Sequence, residues 1–361
     1  MPTTPETPAA PLPFSARLRQ RALAVWRSYT FRVAVQGLLT LWAVTTFTFV
    51  MIRKMPGNPV EVVIDQLIER QQLTYEEARA QAAGLFDFDP DQPLIEQYLD
   101  YMGKLLHGDM GKSISSAGTP VADQIKRYLP WTLFSVGSGL LISFTLGVLL
   151  GMAMAYWRGT VFDNVLTAAA SLMYGIPDFI IALLLLLVAG VQLKLFRMED
   201  VLGGIGQDVQ AGFNLPYIKS LFQHAALPVL TYVWGTVGGW MLTMKSSTIS
   251  TLGEDYIMVA KARGLPERRV LTAYVGRNAM LPLVTRLAIS IGFVVGGSVI
   301  IEFIFQYPGL GRQLALAIGT RDYTTMQGIF LVIASAVVFS NILADLLFGV
   351  LDPRVRVGGE K

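Results

Sequence analysis

Six stretches of this chain are long and apolar enough to cross a lipid bilayer, and nothing else in the sequence constrains the fold as strongly. A helix needs about 20 mostly apolar residues to span a hydrocarbon core about 30 Å thick. The stretches run over 33–52, 133–156, 164–193, 227–249, 281–304 and 327–350. Inside lipid a peptide group finds no water, so it must bond to its own segment, and such runs fold as helices. Charged residues make up 15% of the 361 residues, against about 25% in a soluble domain. The expected fold class is therefore an all-α polytopic membrane protein with six transmembrane helices. Glycines and prolines within the spans are tolerable there, because small residues let helices approach closely. The first stretch does not read as a cleavable signal peptide: its apolar core is too long, and it ends in RKMPGNP without a small-x-small site.

Lysine and arginine beside the spans set the orientation. The N-terminal tail carries Arg17, Arg19, Arg21, Arg27 and Arg32, and the turn after the second span carries Arg158. The loop after the fourth span holds Lys261, Arg263, Arg268, Arg269 and Arg277, and the C-terminal tail holds Arg354, Arg356 and Lys361. With six spans these four segments share one side, which is then the cytoplasm, and both termini lie inside. The chain divides into a basic tail over 1–32, partly disordered by its Pro-rich start, and a first span over 33–53. A large external loop over 54–130, acidic on balance, precedes a transmembrane core over 131–350 that contains a cytoplasmic loop at 250–280. A cytoplasmic tail over 351–361 ends the chain.

The composition narrows the chemistry. There is no cysteine, which excludes disulfides, thiol catalysis and cysteine–metal sites. The two histidines, His107 and His224, are far apart and lie in no ligand motif, so no metal site is expected. A net charge of +3 makes no case for nucleic-acid binding. One stretch, HGDMGKSISS at 107–116, resembles the end of a phosphate-binding loop. That loop needs a glycine five residues before the second one, where this chain has Leu106, and a β-strand before it. The preceding QYLDYMGKLL is spaced as a short amphipathic helix, and the stretch falls on the external side.

The segment 253–282, GEDYIMVAKARGLPERRVLTAYVGRNAMLP, is the most informative loop. Its pattern predicts a helix over Asp255 to Arg263 with Ile257, Val259 and Ala260 on an apolar face. Gly264 then serves as a C-cap before Leu265 and Pro266, and a second amphipathic piece runs from Glu267 to Asn278. Two readings fit these residues. One is a helix pair lying on the membrane surface with basic residues toward lipid headgroups. The other is a docking helix for a cytoplasmic partner.

The loop resembles the EAA motif of ABC-importer permeases, in the version of the dipeptide/oligopeptide/nickel permeases. That version reads D-Y-x-x-x-A-[RK]-A-[KR]-G-L-x-x-x-x-[IV]-[LI] and then R-N-A-x-x-P. The chain has Asp255-Tyr256, Ala260-Lys261-Ala262-Arg263-Gly264-Leu265, Val270-Leu271, and Arg277-Asn278-Ala279 with Pro282. Further family-like pieces follow in order: MPGNP (55–59), GDMGKS (108–113), ALPVL (226–230), YPGLGR (307–312), RDY (321–323) and LDPRVR (351–356). The general motif begins E-A-A, and this chain carries no glutamate there, as is usual for the peptide-type version.

The resemblance implies the type I ABC-importer permease architecture and a non-catalytic subunit that moves a solute by alternating access. The solute class it implies first is di- or oligopeptide, with nickel chelates, glutathione or oligosaccharides as alternatives. The implied partners are a second homologous permease in a heterodimer, two cytoplasmic ATPase subunits and an extracytoplasmic solute-binding protein, in the inner membrane of a bacterium or archaeon. The chain itself would bind no cofactor, ATP and Mg being held by the ATPase subunits. By the same resemblance Asp255, Tyr256, Ala260, Lys261, Ala262, Arg263, Gly264, Leu265, Arg268 and Arg269 form the ATPase-coupling loop. The bland reading of their basic residues is positive-inside charge.

Asp178, directly after Pro177, is the acidic residue nearest the middle of a span. Ionisable groups at membrane depth usually face a cavity or a partner. It lines the translocation path or marks a helix break packed on a neighbouring span. Gly108, Asp109, Gly111 and Ser113 are expected to shape an external gate or a docking surface for the binding protein. Glu302 is expected to serve packing or anchoring near a span end, and the aromatics at 131, 156–157 and 307 to form interfacial belts. A reading from another class is a self-sufficient six-span secondary transporter or channel, which should show inverted repeats and several midplane charges. No convincing repeat is visible.

Overall fold

The structure, a computed structural model, describes residues 29–54, 59–83, 92–116, 118–206, 208–210 and 212–351. The basic tail before residue 29, most of MPGNP, and the C-terminal LDPRVR beyond Leu351 lie outside the described residues. Among the described residues all the regular structure is helical, apart from one isolated bridge between Lys112 and Pro120. In chain order the helices are α1 (Tyr29–Arg53), α2 (Pro59–Gln71), α3 (Tyr75–Ala83), α4 (Leu94–Leu106), α5 (Val121–Tyr156) and α6 (Val161–Gly175). Then come α7 (Asp178–Leu184), continued in π form over Leu185–Gln192, α8 (Leu215–Leu252) and α9 (Asp255–Ala262). α10 comprises Glu267–Arg269, a π-helical stretch over Val270–Gly276, and Arg277–Ala279. The last four are α11 (Leu281–Val294), α12 (Val299–Ile304), α13 (Leu310–Gly319) and α14 (Tyr323–Leu351).

Among the described residues four helices are long and apolar enough to cross a membrane: α1, α5, α8 and α14. The expected third span is not one straight helix. It breaks between Gly175 and Asp178 into α6 and α7, bent by 94°. Pro177 is the cause. Its ring pushes the preceding residue out of the helical region, and Ile176 is extended at φ −92° and ψ 123°. The expected fifth span is also interrupted. α11 has 14 residues, about 21 Å of helix, and a turn with Gly297 at φ +66° separates it from α12.

α8 is the hub, and small residues make it so. A methyl group on Gly147 of α5 would lie 2.2 Å from Cβ of Trp240, and one on Gly151 would lie 2.5 Å from the Met241 carbonyl oxygen. This Gly-x-x-x-Gly face brings the backbones of α5 and α8 together, as small residues do between membrane helices. On its other side α8 presents Gly238 to the Ala170 carbonyl of α6 and Gly235 to Asp178 of α7. Gly292 of α11 and Gly37 of α1 allow equally close approach to α14, at Val337–Ser340 and Val338. The buried layer between α5, α8 and α11 consists of Val136, Leu140, Val148, Trp240, Met244, Leu283 and Val294. Outward faces stay apolar, as at Leu38, Trp42, Leu141, Leu149 and Leu187, which suits helices solvated by lipid.

The segment after α1 is helical as well. QYLDYMGKLL lies within α4, as its spacing predicts, and α4 packs on the end of α1. Tyr101 stacks on the buried Phe49 and Tyr98 meets it edge-on, and the Tyr98 hydroxyl bonds Thr46 Oγ1 at 2.7 Å. Of the aromatics expected at the interface, Tyr307 is instead fully buried, with Trp131 edge-on at 5.8 Å. The YPGLGR turn folds back onto the bundle and carries it inside.

Candidate functional site

The loop after α8 folds into a compact two-helix module. Ile257 and Ala260 of α9 point inward and join Val270 and Val275 of α10, with Leu252, Leu265 and Tyr274 packed around them. Val259, expected on that buried face, is turned out. It is 51% exposed, beside Met258 at 64%. The one-turn spacing of Ile257 and Ala260 fills the narrow contact with α10, so a helix this short leaves its other apolar residues facing away.

α9 ends at Gly264. Its φ of +73° is the left-handed conformation that glycine adopts without a Cβ clash. The Leu265 N–H donates to the Ala260 carbonyl at 3.4 Å and the Gly264 N–H to that of Lys261 at 2.9 Å. These two bonds define a Schellman stop, and Leu265 completes it by packing into the module. The Tyr256 hydroxyl accepts from Asn278 Nδ2 at 2.9 Å, tying the Asp-Tyr piece of the motif to the Arg-Asn-Ala piece. Ser247 Oγ of α8 donates to the Ala279 carbonyl at 2.7 Å, and the Tyr156 hydroxyl at the end of α5 donates to Glu267 at 3.1 Å. The module is thus anchored to two long helices. Asp255, Tyr256, Lys261, Ala262, Arg263, Gly264, Arg268 and Arg269 are exposed on it, Ala260 is buried and Leu265 half-buried.

The GDMGKS stretch lies at the other end of α5. Gly108 and Gly111 both have φ +79°, and Asp109 Oδ1 accepts the Gly111 N–H at 2.8 Å, closing a tight turn. Val121, the first residue of α5, donates its N–H to the Gly111 carbonyl. Ser113 is fully buried and donates to Asp322 Oδ2 at 2.5 Å. The Ser115 N–H and hydroxyl and the Thr325 hydroxyl reach the same oxygen at 3.1, 2.9 and 2.9 Å, and the Thr325 N–H reaches Oδ1 at 3.1 Å. GDMGKS and RDY, some two hundred residues apart in sequence, are therefore two halves of one clamp on a buried carboxylate.

A second buried carboxylate holds the start of α13. Glu302 of α12 is 1% exposed and accepts from Thr132 Oγ1 at 2.8 Å and from the Arg312 N–H at 3.0 Å. Thr132 Oγ1 in turn accepts the Leu310 N–H at 2.7 Å. Glu302 and Thr132 thus satisfy the open N–H groups at the start of α13, which a helix cannot bond internally. A methyl group on Gly309 would fall 2.2 Å from Glu302 Oε2 and one on Gly311 3.0 Å from it, so the glycines of YPGLGR make room for the carboxylate.

Asp178 is half-buried at the α6–α7 break, with Gly235 of α8 against it. It is not the sole acidic group in the bundle. Asp163 of α6, 3% exposed, pairs with Lys245 of α8 at 2.5 Å, and Thr167 bridges the two. Sequence spacing gave no signal for this pair, because the partners lie on different helices. Among the described residues no group of three or more histidine, aspartate or glutamate side chains is placed to hold a metal ion.

Residues 147–357, from mid-α5 through the module and both YPGLGR and RDY, match the family model described as binding-protein-dependent transport system inner membrane component. The chain belongs to this family. The family is one of transport components of the inner membrane. A putative peptide permease protein of Brucella suis biovar 1 (strain 1330) is 36% identical over 321 residues, covering 89% of this chain and 96% of the relative. The dipeptide transport system permease protein DppB of Escherichia coli (strain K12) is 32% identical, covering 88% and 95%. The oligopeptide transport system permease protein AppB of Bacillus subtilis (strain 168) is 30% identical, covering 91% and 99%. The likeness to these relatives runs along nearly the whole chain, including the α1–α4 region that the family model does not reach.

Proposed function

We propose that this chain is the non-catalytic permease subunit of a peptide importer driven by separate ATPase subunits. The observation that carries the reading is the module over Asp255–Ala279. It is bonded to α5 and α8, yet it exposes Met258, Val259 and Tyr256 among charged side chains that include Lys261, Arg263, Arg268 and Arg269. Exposed apolar side chains rimmed by charge suit a protein partner better than lipid headgroups. An ATPase subunit docked there would push on α9, and Ser247–Ala279 and Tyr156–Glu267 would pass the push to α8 and α5. The names of the relatives support di- or oligopeptides as the solute.

In this reading the chain crosses the membrane six times, with α1, α5, the bent α6–α7 pair, α8, the broken α11–α12 pair and α14 as crossings. The termini and the module lie in the cytoplasm, as the lysine and arginine pattern predicts. The Ser113–Asp322 clamp then lies outside, where Gly108, Asp109 and Gly111 shape a surface for an extracytoplasmic binding protein. A homologous second permease completes the pathway, and ATP and Mg are bound by the ATPase subunits. The test is reconstitution of the chain in proteoliposomes with the permease, ATPases and binding protein encoded beside it. ATP-dependent uptake of a labelled dipeptide or tripeptide is expected. Uptake that persists without the ATPases, driven by an ion gradient, would contradict the reading.

A further inference from the structure

Two side chains of opposite charge border the same stretch of α8, and neither has an ion-pair partner among the described residues. Asp178 at the start of α7 makes no side-chain hydrogen bond or ion pair with any described residue; Gly235 lies against its Cβ, and the Tyr232 phenol is near enough to feel its charge. Arg286 of α11 is exposed, lies with its guanidinium 4.9 Å above the Trp240 ring, and donates to Thr243 Oγ1 at 3.2 Å. It too has no carboxylate in reach among the described residues. Tyr174, 61% exposed, stands between them: a methyl group on Gly239 would lie 3.1 Å from its ring and 3.8 Å from Arg286 Nη2. Gly235, Gly239 and Thr243 follow one another at one-turn intervals, so they share one stripe of α8, and the exposed Tyr174 and Arg286 flank it as the sides of a shallow groove. α6 and α7 make one wall, and α11 makes the other.

We propose that this groove holds a short zwitterionic peptide in transit, its ammonium group on Asp178 and its terminal carboxylate on Arg286. The assignment rests on the peptide-import reading above and adds where, and by which groups, the permease meets its solute. Three observations carry it. Ionisable groups at membrane depth are costly and face a cavity or a partner, and these two have opposite sign. Arg286 is held by Trp240 and Thr243 while its side chain stays exposed. The floor positions that touch Asp178 and Arg286 are one to two helical turns apart, roughly 6–12 Å. An extended chain covers about 3.5 Å per residue, so the ends of a dipeptide or tripeptide match that spacing.

The test uses the complete importer in proteoliposomes, with the binding protein saturated by a tripeptide or by its C-terminal amide. Dividing the uptake by variant by that of the unsubstituted chain, for each peptide separately, cancels the binding protein's own preference. Arg286→Gln should lower uptake of the free tripeptide about tenfold and that of the amide less than twofold, with Arg286→Lys keeping at least half of both. Asp178→Asn should show the mirror pattern with an N-acetylated tripeptide. Equal losses for free and capped peptides would mean that Arg286 and Asp178 only support packing or contact the second permease, and would overturn the proposal. So would no loss with either. If the unsubstituted importer carries no peptide at all, the function proposed above fails and this site fails with it.

Discussion

At the scale of single residues, two buried carboxylates hold turns of the bundle together. Asp322 takes five hydrogen bonds from Ser113, Ser115 and Thr325. Losing one donor to a buried charged group costs about 1–3 kcal/mol. Ser113→Ala should therefore lower the apparent Tm of the purified chain by several degrees, read from tryptophan fluorescence, with Asp322→Ala lowering it further. An unchanged Tm in both would show that the clamp does not form. Gly309→Ala places a methyl group onto the Glu302 carboxylate and should reduce accumulation of folded chain in the membrane more than Gly319→Ala, whose position is open. The same two sites show how unevenly residues are legible. GDMGKS, YPGLGR and RDY stand out in the sequence, yet nothing in it says that Ser113 bonds Asp322 or that Gly309 yields space to Glu302. Those pairings belong to the tertiary fold, as does Asp163–Lys245, which no spacing rule reaches.

Elements were easier to read than their interruptions. The long apolar runs mark α1, α5, α8 and α14, and the amphipathic spacing marks α4 and both halves of the module. Pro177 lies in plain view inside the third apolar run, but hydropathy averages over it, so a 94° bend reads as one continuous span. The turn that parts α11 from α12 is hidden likewise, because Val294 to Val299 is as apolar as its surroundings. Gly264 is the element-scale counterexample: its place between a helical run and Leu265-Pro266 predicts a C-cap, and the Schellman bonds are there. A β-branched residue in that left-handed conformation costs roughly 1–2 kcal/mol. Gly264→Val should leave the chain inserted and associated with its permease partner while ATP-coupled uptake falls at least fivefold. Wild-type uptake in this variant would mean that the stop of α9 is not used in coupling.

For the whole molecule, the proposed function has force generated by the ATPases enter through the module and reach the far end of the bundle. α5 alone, with 36 residues, reaches about 54 Å from the Val121 end, tied to GDMGKS, to the Tyr156 end, tied to Glu267. α8, with 38 residues, runs beside it along the glycine contacts and carries the proposed peptide groove on its opposite flank. Two long helices packed along a glycine face and tied to one module suit a rigid-body rocking of the bundle. The chain contains no cysteine, so a single introduced thiol reports one position without background. Val259→Cys on α9 and Ser116→Cys at the far end should insert equally well. In membranes containing the assembled importer, a short bifunctional crosslinker should join Val259→Cys to an ATPase subunit, in a yield that changes with ATP, and never join Ser116→Cys to it. Crosslinking from position 116, or none from position 259 while peptide uptake remains intact, would contradict the account.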